Sequence, residues 1–99
     1  MVLNGLGERV GIEDTRADLE GRHGVKVTYA AADMARPAEI AAMMAETRRR
    51  LGPVDVLVNN AGIQHVEAIE TFPPGKWDAI IAINLSSAFH AIRAAVPEM

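Results

Sequence analysis

Hydrophobic and polar positions come in blocks along this chain, and each block has its own period. Val2-Leu3-Asn4 reads as the end of a strand, which Gly5-Leu6-Gly7 turns toward a polar helix with Ile12, Thr15 and Leu19 at helical spacing. Gly24 stops that helix. Val25, Val27 and Tyr29 then alternate with Lys26 and Thr28, predicting a second strand from Val25 to Ala30 with Ala31-Ala32-Asp33-Met34 at its carboxyl end. Pro37 suits the first turn of the next helix, where Ile40, Met43, Met44, Thr47 and Leu51 follow at i, i+3, i+4, i+7 and i+11 before Gly52-Pro53 closes it. Val54 to Val58, apolar except for Asp55, predicts a third strand buried on both faces, and Asn59-Asn60-Ala61-Gly62 ends it abruptly. Beyond the loop containing Thr71-Phe72-Pro73-Pro74-Gly75, a helical stripe runs through Trp77, Ile80, Ile81, Leu85, Ala88, Ile92 and Val96, with Pro97 as its expected end.

The order is therefore β-α-β-α-β-α, without repeats or low-complexity tracts, which predicts a parallel sheet covered by helices. Ligands bind such sheets at the carboxyl ends of strands, which places the stretch Val54 to Gln64 beside a ligand crevice. Asn84 falls within the apolar stripe of the last helix, so the spacing predicts a buried amide that costs roughly 1–3 kcal/mol unless partnered. Two readings stay open for it. It bridges a neighbouring loop or bends its own helix, or else its side chain or a carbonyl freed by a kink holds a water near a reacting group.

Composition narrows the function classes. The 99 residues, 49% hydrophobic, suffice for one small packed domain, and the net charge of −3 without a basic face gives no support to nucleic-acid binding. Arg48-Arg49-Arg50 falls in the last turn of its helix, where cations complement the helix dipole. There is no cysteine, and His23, His65 and His90 lack ligand spacing, so no metal site is expected. No signal-peptide pattern opens the chain and no uninterrupted apolar run approaches the ~20 residues of a membrane span, so no membrane partner and a cytoplasmic location are expected. Gly5-Leu6-Gly7 with Gly11 approaches the dinucleotide fingerprint G-x-G-x-x-G, but Val10 stands where the third glycine belongs.

Three motifs in register carry a more specific signal. Asp33-Met34-Ala35, Asp55-Val56-Leu57-Val58-Asn59-Asn60-Ala61-Gly62 and Trp77-Asp78 followed by Ile83-Asn84-Leu85 resemble the central part of the short-chain dehydrogenase/reductase family. The longer strings Asn59 to Val66 and Lys76 to Ser86, with Val2-Leu3-Asn4-Gly5, are similar to bacterial members of that family that interconvert D-3-hydroxybutyrate and acetoacetate, the chemistry of ketone body metabolism. The resemblance implies residues 1–99 of a partial NAD(P)-binding Rossmann domain, an incomplete doubly wound parallel sheet. It also implies an oxidoreductase transferring hydride to NAD, with a small 3-hydroxy acid as substrate and a homotetrameric assembly. NADP is less favoured, because Asn4-Gly5-Leu6-Gly7 offers no arginine for a 2′-phosphate, although Arg9 follows closely.

Residue by residue, the resemblance implies that Asp33 binds the adenine amino group with Met34 flanking the ring. Asp33 also stands close enough to Pro37 to organise that helix start. Asn60, Ala61 and Gly62 would run along the cofactor's ribose with Ile83 packed near it, Asn59 would brace neighbouring strands, and Gln64 would donate to a substrate carboxylate. Asn84 matches the asparagine of the family's Asn-Ser-Tyr-Lys set, which positions a proton-relaying water. The departures are equally definite. The chain is expected to lack the first strand with its glycine-rich turn and the C-terminal half with the Tyr-x-x-x-Lys, leaving Tyr29, a strand residue, as its one tyrosine. A related reductase of another 3-oxo acid or thioester, and a gene fragment without catalysis, are the alternative expectations.

Overall fold

The computed structural model describes residues 1–99, which divide into two compact units, Met1–Asp33 and Met34–Met99. Each is built from elements whose periods are visible in the chain.

In the first unit, strand β1 (Val2–Asn4) is joined by helix α1 (Arg9–His23) to strand β2 (Thr28–Ala30). The strands pair in parallel, with Val2 opposite Thr28, Leu3 opposite Tyr29 and Asn4 opposite Ala30. Strands this short gain little from the ladder itself, and the flanking bonds extend the pairing: the Thr28 amide donates to the Met1 carbonyl at 3.0 Å, and the terminal amine donates to the Lys26 carbonyl at 2.7 Å. Helix α1 half-buries Ile12 and Leu19 and ends at Gly24, whose φ of 61° is the left-handed cap that glycine adopts without a Cβ penalty. Arg16 ties α1 to the chain entering β2, donating to the Val27 carbonyl at 2.9 Å while it pairs with Glu13 and Glu20. Val27 and Ala32 are the buried residues here.

In the second unit, helix α2 (Pro37–Leu51) buries Ile40 completely and half-buries Met43, Met44, Thr47 and Leu51, the stripe expected from spacing. It ends at Gly52, with φ 95°. Residues 52–68 form no helix or ladder; a single 3₁₀ turn (Ile69–Thr71) leads to helix α3 (Pro74–Ile81), a π-helical turn (Ala82–Ser86) and helix α4 (Ser87–Ala95). Another 3₁₀ turn, Val96–Glu98, takes in Pro97. Helix α4 packs on α2 through Ser87, Ala91 and Ala95, and Arg48 pairs with Glu98 at 2.5 Å. Arg49 and Arg50 both reach Glu46.

The incomplete Rossmann-type class holds, with several local differences. The sheet has two strands, and β2 begins at Thr28 rather than Val25. Val54 to Val58 forms no strand and is not buried: Val56 and Val58 are 78% and 76% exposed. Apolar β-branched residues favour an extended chain, but a strand exists only when a neighbour accepts and donates its main-chain hydrogen bonds, and no strand pairs with this stretch. The apolar stripe of the last helix is likewise exposed at Trp77, Ile81, Leu85, Ile92 and Val96, as is Phe89 beside it, while small residues make its buried face. The π turn contributes to that mismatch, since one extra residue rotates the following positions by about 100°.

Pro74–Glu98 is also one continuous 25-residue helical path, with a mean hydropathy of 1.5 over 18 residues. That length and composition reach what a membrane span requires, contrary to the expectation from uninterrupted runs, because Asn84, Ser86, Ser87 and His90 break the run without breaking the helix. One narrow face of it, Ser87, Ala91 and Ala95, is buried where α4 packs on α2, and its larger apolar residues are exposed. In urea unfolding, Ile40→Val is expected to cost about 0.5–1.5 kcal/mol, the price of one buried methylene at a fully enclosed site; an unchanged midpoint would show that Ile40 is not part of the folded core.

Candidate functional site

The centre of the second unit's candidate site is a hydrogen-bonded ring between a helix and the loop before it. Asn84 lies in the π turn, and its amide meets Ile63 twice: Oδ1 accepts from the Ile63 N–H at 2.8 Å and Nδ2 donates to the Ile63 carbonyl at 2.8 Å. Both main-chain groups of one residue are thereby held by one side chain. Asn84 is exposed, so the expectation of a buried amide in the core is corrected. It is partnered all the same, bridging a neighbouring loop from a helix that departs from α geometry at that turn. The Ser87 N–H reaches back to the Ala82 carbonyl in the i→i−5 pattern, and the Ser87 hydroxyl donates to the Ile83 carbonyl at 2.6 Å.

The neighbouring residues account for the close approach. A Cβ built on Gly62 would lie 3.5 Å from Asn84 Oδ1, ordinary contact, so the amide lies directly against the glycine. Asn60, Ala61 and Gly62 are exposed, and Ile83 is half-buried. Asn59 is exposed and makes no side-chain hydrogen bond; with no strand at Val54 to Val58 it has no sheet to brace.

Gln64 is exposed and follows the clamped Ile63. On its other side, His65 Nε2 lies 2.9 Å from Glu67 Oε1, and the imidazole meets the Phe72 ring edge-on at 5.3 Å between centroids and 87°. An ionised carboxylate can only accept, so Nε2 carries the proton. The hydrogen bond from His65 holds the Glu67 carboxyl below the usual carboxylate range, and the Thr71 hydroxyl adds to the effect. This cluster was not anticipated from the sequence; a histidine two residues before a glutamate is a signal only once the loop is known to bring them together.

In the first unit, Asp33 is half-buried just beyond β2, and Met34 opens the following turn at the start of the second. The N-cap of α2 is Arg36, so Asp33 does not serve as that cap. Asn4, at the end of β1, donates through Nδ2 to the carbonyls of Ala30 and Ala32, each at 3.0 Å. It thereby fixes the run that delivers Asp33, a role sequence reasoning missed; a polar residue closing a strand was the available signal. The Tyr29 hydroxyl donates to the Gly5 carbonyl at 2.5 Å. Beside β1 an open trough of about 400 Å³ is lined by residues including Asn4, Leu6, Glu8 and Ile12.

A family model described as short chain dehydrogenase matches residues 7–99. The chain is 50% identical over 100 residues to the D-beta-hydroxybutyrate dehydrogenase of Cupriavidus necator and 50% identical over 99 residues to that of Rhizobium meliloti, in both cases across the whole chain and 38% of the relative. The chain thus spans well under half the length of the curated relatives it matches. Among solved structures, the L-sorbose reductase of Gluconobacter frateurii, complexed with NADPH and L-sorbose, superposes with a TM-score of 0.91 at 30% identity, covering 99% of this chain and 37% of that one.

Two outcomes follow from the geometry. Replacing Asn84 by alanine removes both bonds to Ile63, and the Ile63 amide is expected to exchange with deuterium about 2- to 10-fold faster, the equivalent of one modest net hydrogen bond. Unchanged exchange would mean the clamp does not hold in solution. A carboxyl with a lowered folded-state pKa stabilises above its unfolded value and loses that contribution as pH falls through the folded one. The His65 and Phe72 ring resonances are therefore expected to move together below the ordinary glutamate range, and Glu67→Gln should abolish the step; a step retained in that variant would assign it elsewhere.

Proposed function

The chain belongs to the short-chain dehydrogenase family, and from that premise we propose that it takes part in hydride transfer between NAD and D-3-hydroxybutyrate, giving acetoacetate. The single observation that carries the substrate is the 50% identity to two D-beta-hydroxybutyrate dehydrogenases across the entire chain. In this reading the Gln64 amide donates to the substrate carboxylate.

The residues fit a dinucleotide cofactor in kind. Asp33 offers a half-buried carboxylate at a strand end for the adenine amino group, with Met34 against the ring, and Asn60-Ala61-Gly62 offers exposed main chain without a ladder of its own, with Ile83 nearby in the helix. Bound nicotinamide would supply the hydride acceptor. NAD is favoured over NADP because the trough beside β1 is lined by one carboxylate, Glu8, and by no arginine or lysine. The NADPH bound to L-sorbose reductase is the observation on the other side.

Asn84 has its side-chain amide committed to Ile63, so the role we give it falls on its main chain: a bulged turn is where a carbonyl turns from the helical ladder and can hold a water for proton transfer. No proton chemistry is assigned to Tyr29, whose hydroxyl is committed to Gly5. The exposed apolar face with Trp77, Leu85 and Phe89 suits contact with further copies, in keeping with a homotetramer, and a cytoplasmic location goes with the same reading.

The test replaces the matching segment of the Cupriavidus necator enzyme with this chain. The chimera is expected to oxidise D-3-hydroxybutyrate with NAD, and Gln64→Ala in it to raise KM by roughly 10-fold with a smaller change in kcat, the loss of one hydrogen bond to a charged group. A folded chimera that turns over only another 3-oxo acid or thioester would replace the substrate, preference for NADP would replace the cofactor, and an unchanged KM would remove Gln64 from the site.

A further inference from the structure

Gln64 stands between two residues that are each held in place, and both holds lead to the same helical segment. Ile63, before it, is fixed by two 2.8 Å bonds to Asn84 in the π turn. His65, after it, is fixed by the 2.9 Å bond to Glu67 and by edge contact with Phe72, which lies just ahead of Pro73-Pro74 at the start of α3. The His65 and Glu67 side chains are 32% and 33% exposed, and Gln64 between Ile63 and His65 is exposed. The loop is thus anchored on both sides of Gln64, whose side chain is left to the solvent.

We propose that His65 is a positioning residue: through Glu67 and Phe72 it fixes the backbone from which Gln64 presents its amide to the carboxylate of a small hydroxy acid. This deepens the reading of Gln64 given above and rests on it. A glutamine on a mobile loop would surrender both backbone and side-chain freedom on binding, whereas a loop already fixed on both flanks gives up only the side-chain part. With Nε2 bonded to Glu67, the imidazole acts on the substrate through the loop.

The chain contains a single glutamine, so its side-chain amide is an unambiguous probe in the wild type and in His65→Ala, and backbone amides report on the variants that add or remove a glutamine. In ¹⁵N relaxation, wild-type Gln64 is expected to be as ordered as Ile63, and His65→Ala to raise its backbone mobility while Ile63 stays ordered on Asn84. Titration with sodium D-3-hydroxybutyrate, followed at the backbone amides of residues 63 to 66 so that every variant is read in the same way, is expected to show affinity about 3- to 10-fold weaker in His65→Ala, with partial recovery in His65→Gln, which restores a donor near the Nε2 position. Glu67→Gln, nearly isosteric, should shift both readouts in the same direction even if His65→Ala folds poorly. Unchanged Gln64 order in His65→Ala and Glu67→Gln would overturn the positioning role. Increased Gln64 mobility in His65→Ala, with affinity for D-3-hydroxybutyrate unchanged both there and in Gln64→Ala, would instead overturn the substrate reading beneath it.

Discussion

Between Leu51 and Pro74 the chain has neither an α-helix nor a ladder, and the pair of hydrogen bonds from Asn84 to Ile63 fixes where its middle lies. The magnitudes decide what kind of device this is. Two such bonds contribute about 1–3 kcal/mol net, while ordering residues 52–68 costs on the order of 1–2 kcal/mol for each. The clamp therefore sets position and register, and other packing must meet most of the ordering cost. The loop's length has the same bearing: stretches beyond about 12–15 residues without secondary structure are uncommon inside compact domains, and this one includes Val54 to Val58, for which the two-stranded sheet offers no partner.

The helix on the other side of the clamp is shaped to the same end. A straight α-helix from Pro74 would carry its 3.6-residue face unbroken to Ala95; the π turn at Ala82–Ser86 interrupts that count at the residue that grips the loop. Beyond the bulge the buried positions are Ser87, Ala91 and Ala95, small enough for α2 to approach closely. Larger apolar residues on that segment are left outward.

What the sequence made legible follows the range of the interactions involved. Helices α1 and α2, with their ends at Gly24 and Gly52, depend on contacts within a few residues, and spacing located them closely. The third strand at Val54 to Val58 depended on a pairing partner, which local pattern cannot supply, and it is absent. Asn84 was singled out correctly as an amide that needs partners, but its environment was misjudged because the stripe was taken as a core face, whereas Trp77 and Ile81, ahead of the π turn, and Leu85 within it are all exposed. The His65, Glu67 and Phe72 cluster and the Asn4 bridge were illegible for the reason that makes them useful: each joins residues that only the folded chain brings together.

Asn4 and Asn84 also show why these two anchoring positions carry an amide. Asn4 uses its nitrogen to satisfy two carbonyls, Ala30 and Ala32, while Asn84 uses its nitrogen on one carbonyl and its oxygen on one N–H. Aspartate would retain the acceptor but place a negative charge against carbonyl oxygens in both settings, and alanine would leave the loop groups to water. Glutamine has the same polar atoms with one more rotatable bond to immobilise, so the same bonds would come at a higher entropic cost. Only a short amide both donates and accepts at fixed reach. In each unit it is spent on main chain next to a proposed ligand-facing residue, Asp33 in the first and Gln64 in the second, so the polar side chain that organises the site is distinct from the one offered to the ligand.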